Sequence, residues 1–197
     1  MNLTITGNLT LENLTDAESS FLKSENQWPN PQIRIAENMG RYSAHFPSLV
    51  EAWREEDERL ILPRGYLEHL LEQFVPESID DQRTTAPIDI PKLEGVTYRG
   101  YQQELLGEAY RHEQGTLVAP TGSGKSIMGM ALMAHHGQRS IILVNSKELA
   151  SQWRQEIKKW MEVEAGTVGG GKWIEGEEVT VAMLQTLHRN PEKAAEL

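Results

Sequence analysis

The segment Ala119-Pro120-Thr121-Gly122-Ser123-Gly124-Lys125-Ser126 carries the residue types of a phosphate cradle. Gly122 and Gly124 lack a β-carbon, so the loop can curl and aim backbone N–H groups at anionic oxygens. A helical run, Ile127 to Ala134, follows directly, and the partial positive charge of its N-terminus adds to the attraction. Thr121, Gly122, Ser123 and Gly124 would then wrap the phosphates of a nucleoside triphosphate. Lys125 would reach the β- and γ-phosphates, and the Ser126 hydroxyl would ligate Mg²⁺. The competing reading is a plain glycine turn between a strand and a helix. The generic loop begins with glycine, and Ala119 stands in that place.

The elements around this loop read as β/α. Thr116-Leu117-Val118 is an apolar strand leading into it. Ahead of that strand, Tyr101, Leu105 and Ala109 share one helical face, and Gly115 closes the helix. Ile141-Ile142-Leu143-Val144 is a continuous apolar run, the mark of a parallel strand covered on both faces. Ser146 can cap the next helix, whose buried stripe is Leu149, Trp153, Ile157, Trp160 and Met161. Val179 to Met183 is a further strand. This alternation implies right-handed βαβ units on a parallel sheet over residues 94–197.

Residues 1–79 read as a small α+β domain. Leu3 and Ile5 alternate with threonines as in a half-buried strand, and Thr15-x-x-Glu18 is a capping box opening a short helix. Gln32 to Ala36 and Leu60-Ile61-Leu62 read as strands. Tyr66, Leu67, Leu70, Leu71 and Phe74 mark one face of a helix that Pro76 stops. The triplets Asn2-Leu3-Thr4, Asn8-Leu9-Thr10 and Asn13-Leu14-Thr15 are read as chance or turn chemistry. Residues 80–93, polar and carrying two prolines, read as a linker.

A formal net charge of −10 over 197 residues argues against nucleic-acid binding through a general basic surface, but leaves room for a local groove. No cysteine is present, which excludes disulfides and thiolate-ligated metal. No apolar run is long enough to span a bilayer, and the N-terminus lacks the parts of a signal peptide. The expectation is a cytoplasmic protein, in the host cytoplasm if phage-encoded.

The order of motifs goes further than the loop. Tyr98-Arg99-Gly100-Tyr101-Gln102 precedes it. Val144-Asn145-Ser146-Lys147-Glu148-Leu149 leads to Gln152-Trp153, then come Gly169-Gly170-Gly171 and Val179-Thr180-Val181-Ala182-Met183-Leu184-Gln185-Thr186-Leu187. Residues 96–190 thereby resemble the first motor domain of superfamily 2 helicases, most closely the branch of UvsW-type phage helicases and XPB-like DNA translocases. In that family the loop opens with alanine. The resemblance implies an incomplete RecA-like P-loop domain that binds ATP and Mg²⁺ and acts on branched or duplex DNA. It implies that Gln102 reads the adenine edge, where a carboxamide can donate and accept at once, and that Tyr98 or Arg99 packs against the base. Ser146, Lys147, Gly170, Lys172 and Thr186 would contact the nucleic-acid backbone. Asn145 departs from the family's proline, and Ser146 serves equally as an N-cap. A fainter likeness in the first domain makes Arg54, Arg59 and Arg64 candidates for DNA phosphates, with isolated surface arginines as the alternative.

Hydrolysis also needs a carboxylate near Mg²⁺. The family places it in an Asp-Glu box after the Gln-Thr-Leu segment, and this sequence reaches Leu197 without one. The resemblance therefore implies the N-terminal part of a helicase, without the C-terminal motor portion and inactive alone. Two other classes stay open: another P-loop NTPase, which needs an apolar strand ending in aspartate, and a DNA-binding module with a vestigial loop.

Overall fold

A computed structural model describes all 197 residues. They form two compact units, Met1–Thr84 and Thr85–Leu197.

The first unit runs β1 (Asn2–Ile5), β2 (Asn8–Glu12), α1 (Asp16–Glu25), β3 (Gln27–Pro29), α2 (Pro31–Asn38), β4 (Leu49–Glu51), β5 (Arg54–Glu56), β6 (Arg59–Pro63), a single 3-10 turn at Arg64–Tyr66, α3 (Leu67–Gln73) and β7 (Ser78–Asp81). Its main sheet has the order β5-β6-β2-β1-β7, antiparallel except where β1 meets β7. Leu3 and Ile5 face the core from β1, and Leu9 and Leu11 face it from β2. The Asn8-Leu9-Thr10 triplet is thus the start of a strand and not a turn. Its own alternation supplies the reason, because a period of two puts both leucines on one face. At α1 the capping box forms: Thr15 N–H donates to Glu18 Oε2 at 2.8 Å, and Glu18 N–H donates back to Thr15 Oγ1.

Residues 32–36, expected as a strand, lie inside α2. Asn30 caps that helix by accepting the Gln32 N–H at 3.0 Å, and Pro31 takes the first helical position. The Asn-Pro step that looks like a break is a helix start, because proline's fixed φ and missing N–H do no harm there. At the other end of the unit, Asp80 and Asp81 lie in β7, paired with Thr4 and Ile5.

The second unit runs α4 (Gly100–Ala109), α5 (Lys125–His136), β8 (Ser140–Val144), α6 (Lys147–Met161), β9 (Gly166–Gly169), β10 (Lys172–Ile174), β11 (Val179–Met183), α7 (Leu184–His188) and α8 (Pro191–Ala194). Its sheet order is β10-β9-β11-β8, with β11 parallel to both neighbours and β10 an antiparallel hairpin arm. Met130, Ile157, Met161, Val179 and Val181 make its main core, to which Ile88, Ile90 and Leu93 also contribute. A second cluster joins Leu106 of α4 to Met128 and Ala131 of α5. α5 therefore packs into both clusters.

The structure corrects several expectations. Residues 116–118 form no strand, since no neighbouring strand pairs with them, and Val118 is 81% exposed. β8 is covered on one face only. Ile142 and Val144 pack inward, while Ile141 and Leu143 are 43% and 52% exposed at the last strand of the sheet. The buried face of α4 is Gln102 and Leu106, with Tyr101 turned outward, and the helix ends at Ala109, well before Gly115. In α6, Ile157 and Met161 are buried as expected, but the two tryptophans are only half-buried against the core and Leu149 is exposed.

Gly107 lies in the exposed interior of α4, with nothing within 4 Å of where a β-carbon would sit. Gly107→Ala is therefore expected to raise stability by about 0.5–1 kcal/mol, through helix propensity alone. Urea unfolding checks it, and an unchanged midpoint would count against α4 being helical there.

Candidate functional site

The 119–126 loop is shaped by its glycines. Gly122 has φ +79° and Gly124 has φ +80°, both in the left-handed region. Gly124 is also the N-cap of α5. Its φ calls for glycine, and a β-carbon there would come within 2.6 Å of Gln102 Nε2 and push that carboxamide aside. Lys125 and Ser126 open α5, and its free N–H groups point into the loop side. Lys125 Nζ donates to the carbonyls of Ala119 (3.0 Å) and Pro120 (2.9 Å), which holds the ammonium over the curl. Ser123 Oγ in the same loop is buried and has no hydrogen-bond partner. Thr121 is exposed. A curl of left-handed glycines, an ammonium across it and a helix N-terminus behind it fit a polyphosphate. Lys125 and Ser126 are the residues that would hold it and its Mg²⁺.

α4 braces this loop from one side. Tyr101 Oη and Gln102 Nε2 both donate to the Ser123 carbonyl, at 2.9 and 2.8 Å. Gln102 Oε1 accepts the Arg99 N–H at 2.8 Å, so the carboxamide ties the turn before α4 to the phosphate loop. Gln102 is 7% exposed, and each end of its carboxamide keeps one further bonding position. Tyr98 packs with Leu106, Met128 and Ala131, and Arg99 is exposed. Burial, and then the nearby Tyr98, push the Tyr110 phenol above its ordinary pKa. Helical periodicity alone puts Tyr101 on the core face of α4 and misses its part in bracing the loop. Its place beside Gln102 in the motif is the signal that could have found it.

A second constellation forms where α6 meets the β9–β10 hairpin. Ser146 caps α6, accepting the Leu149 N–H at 3.2 Å. In the hairpin Lys172 pairs with Gly169, which leaves Gly170 and Gly171 as a two-residue turn. Their φ values of +60° and +83° are those of a type I′ turn, the form that matches strand twist. Lys147 and Gly170 line one shallow concavity together with Ser151 and Arg154. The carboxyl of Glu148 is held below the usual range by its own backbone N–H and by Ser146, so a negative charge persists next to Lys147 in sequence. Thr186 is not at a strand end. It lies in α7, one turn past β11, where its carbonyl accepts from Asn190. Gln185 Nε2 donates to the Asn145 carbonyl at 2.9 Å and ties α7 to the loop before α6.

In the first unit Arg54 pairs with Glu56 (2.8 Å) and Arg59 with Asp57 (3.3 Å). Arg64 is exposed in the 3-10 turn. No helix in either unit is long and apolar enough to cross a membrane.

A glycine loop feeding a helix on a parallel α/β sheet defines a P-loop nucleotide-binding unit. The chain belongs to the family described as the Type III restriction enzyme, res subunit, whose profile matches residues 95–197. The second unit is accordingly a partial RecA-like domain. The chain is similar to the "Probable helicase D10" of Escherichia phage T5, 26% identical over 129 residues, which is 66% of this chain and 28% of that protein. It is also similar to the DNA 3'-5' translocase XPB2 of Sulfurisphaera tokodaii, 26% identical over 142 residues, 72% of this chain and 29% of that protein. A third relative is the DNA 3'-5' helicase XPB of Mycobacterium tuberculosis, 31% identical over 98 residues, 49% of this chain and 18% of that protein. The chain thus spans less than a third of the length of the curated relatives it matches.

Proposed function

We propose that this chain is the nucleotide-binding N-terminal portion of an ATP-dependent DNA helicase or translocase of the cytoplasm, acting on branched or duplex DNA. The observation that carries the reading is the loop itself: two left-handed glycines with Lys125 drawn across them at the start of α5. The backbone N–H groups of residues 121–124 hold the phosphates, Lys125 neutralises the β/γ-phosphate oxygens, and Ser126 supplies the protein's ligand to Mg²⁺. Gln102 offers its remaining donor and acceptor to the adenine edge. Arg99, which is exposed, stacks on the base in preference to the packed Tyr98.

DNA lies against the second unit, at the Ser146–Lys147 helix start, Gly170, Lys172 and the Thr186 turn. Charge supports this placement. Acidic residues outnumber basic ones by roughly two to one in the first unit, whereas the second is nearly balanced. Arg64 remains the first unit's candidate for a phosphate contact. In this reading the first unit serves as an accessory domain and the second as a partial motor.

The test is direct. The purified chain is expected to bind a fluorescent ATP analogue more tightly with Mg²⁺ than without it, and to show no turnover. Binding indifferent to Mg²⁺ would count against the role of Ser126. Clear ATPase activity that is lost in Lys125→Ala would overturn the claim that the motor is incomplete.

A further inference from the structure

Four residues of α6 line the concavity beside the glycine hairpin: Lys147, Ala150, Ser151 and Arg154. Their spacing of three, one and three places them on a single helical stripe. Further along the helix the same stripe enters the core at Ile157 and Met161. The half of the stripe nearer the N-terminus thus carries cations where the other half carries apolar side chains. Ala150 and Ser151 keep the middle of the groove small, and a cation stands at each end. Across it lie Gly169 and Gly170, whose lack of side chains keeps the far wall low.

Some cations of the chain are already neutralised by a carboxylate: Lys23, Arg54, Arg59, Arg83, Arg111, Arg139 and Lys158 each form an ion pair with one. Lys147 and Arg154 form none, and both are exposed. In a chain with a net charge of −10, carboxylate partners are plentiful. Two unpaired cations on one stripe leave a positive track between them. The concavity is shallow, about 120 Å³, well under the roughly 300 Å³ of an enclosed small-molecule pocket. Seven residues of helix separate the two cations by roughly 10 Å along its axis.

We propose that Arg154 is a second phosphate anchor, and that one DNA strand runs along α6 between its Lys147–Arg154 stripe and the Gly169–Gly170 turn. This rests on the reading that the second unit binds DNA. It adds the course of the strand and a residue outside the recognised motifs. The contact is to the backbone and is blind to sequence.

Anisotropy of a labelled oligo-dT, titrated with the intact chain at several salt concentrations, tests it. Each phosphate lost from a single-strand contact lowers the slope of log K against log salt by about 0.7, which is about fivefold in affinity near 0.1 M salt. Arg154→Gln is expected to show both losses with an unchanged thermal midpoint, since the side chain is exposed and has no ion pair to lose. Arg154→Lys should keep the slope. A Lys147→Gln variant separates the two claims. If Lys147→Gln weakens binding and Arg154→Gln matches the parent chain, the strand does not follow α6 and this inference fails alone. Loss of affinity in Arg154→Gln at an unchanged slope also overturns it. If the parent chain binds a DNA duplex but not oligo-dT, the inference fails alone; if it binds neither, the DNA reading fails with it.

Discussion

Lys125→Ala is expected to weaken binding of an ATP analogue on the order of ten- to a hundredfold, while leaving the thermal midpoint almost unchanged. The two halves of that expectation come from the same geometry. A hydrogen bond from a charged donor contributes about 1.5–3 kcal/mol, and no other ammonium or guanidinium is placed across the loop. The bonds that Lys125 makes within the protein go to the carbonyls of Ala119 and Pro120. Lys125 is exposed, so water replaces it at both carbonyls and no buried group is stranded. The loop's shape rests elsewhere, on Gly122, Gly124 and the two α4 donors that hold the Ser123 carbonyl. Titration of the fluorescent analogue beside a thermal melt measures both halves. Equal affinity in the variant would mean that the loop is vestigial.

Gly166→Ala is expected to cost about 3 kcal/mol, the upper end of what an overpacked methyl group usually costs. Its β-carbon would be driven into the backbone of Gly176, Ile174 and Glu175. None of these can swing aside as a side-chain tip can. β9 is pinned by β10 on one side and β11 on the other, and the Gly176 N–H donates to Thr180 Oγ1 at 3.0 Å. Gly176 is held by the same closeness, since its own β-carbon would strike the Val179 carbonyl. Gly170→Ala makes the comparison. Nothing lies within 4 Å of its β-carbon, and only its φ of +60° opposes the change, at about 1–2 kcal/mol. Urea unfolding ranks the two variants. Equal losses would show that β9 and the 175–178 segment are not packed backbone to backbone.

What is legible in the sequence is local. The phosphate loop, the Thr15 and Ser146 caps and the β11 strand each depend on residues within a few positions of one another, so type and spacing suffice. Expectation and structure part where a distant partner decides. Thr116 to Val118 has the composition of a strand but lacks a neighbour to pair with. The orientation of α4 turns on the Ser123 carbonyl, 21 positions from Gln102, which draws that polar residue inward and leaves Tyr101 at the surface. The uses of Tyr101 and Arg154 are hidden for the same reason. Each becomes visible only when a loop far along the chain is folded against its helix. The Asn30-Pro31 step differs: it is a local signal with two meanings, break or helix start, that the flanking residues do not separate.

The bare face of β8 has a consequence for handling the protein. Ile141 and Leu143 project from a strand whose outer edge is also unpaired in the sheet, so hydrogen-bonding groups and apolar side chains are offered together. Such an edge is a template for a strand from another molecule. This short stretch of sheet is thus one place where two copies can meet, and a net charge of −10 opposes their approach. Salt, which screens that repulsion without weakening the apolar contact, should bring the molecules together.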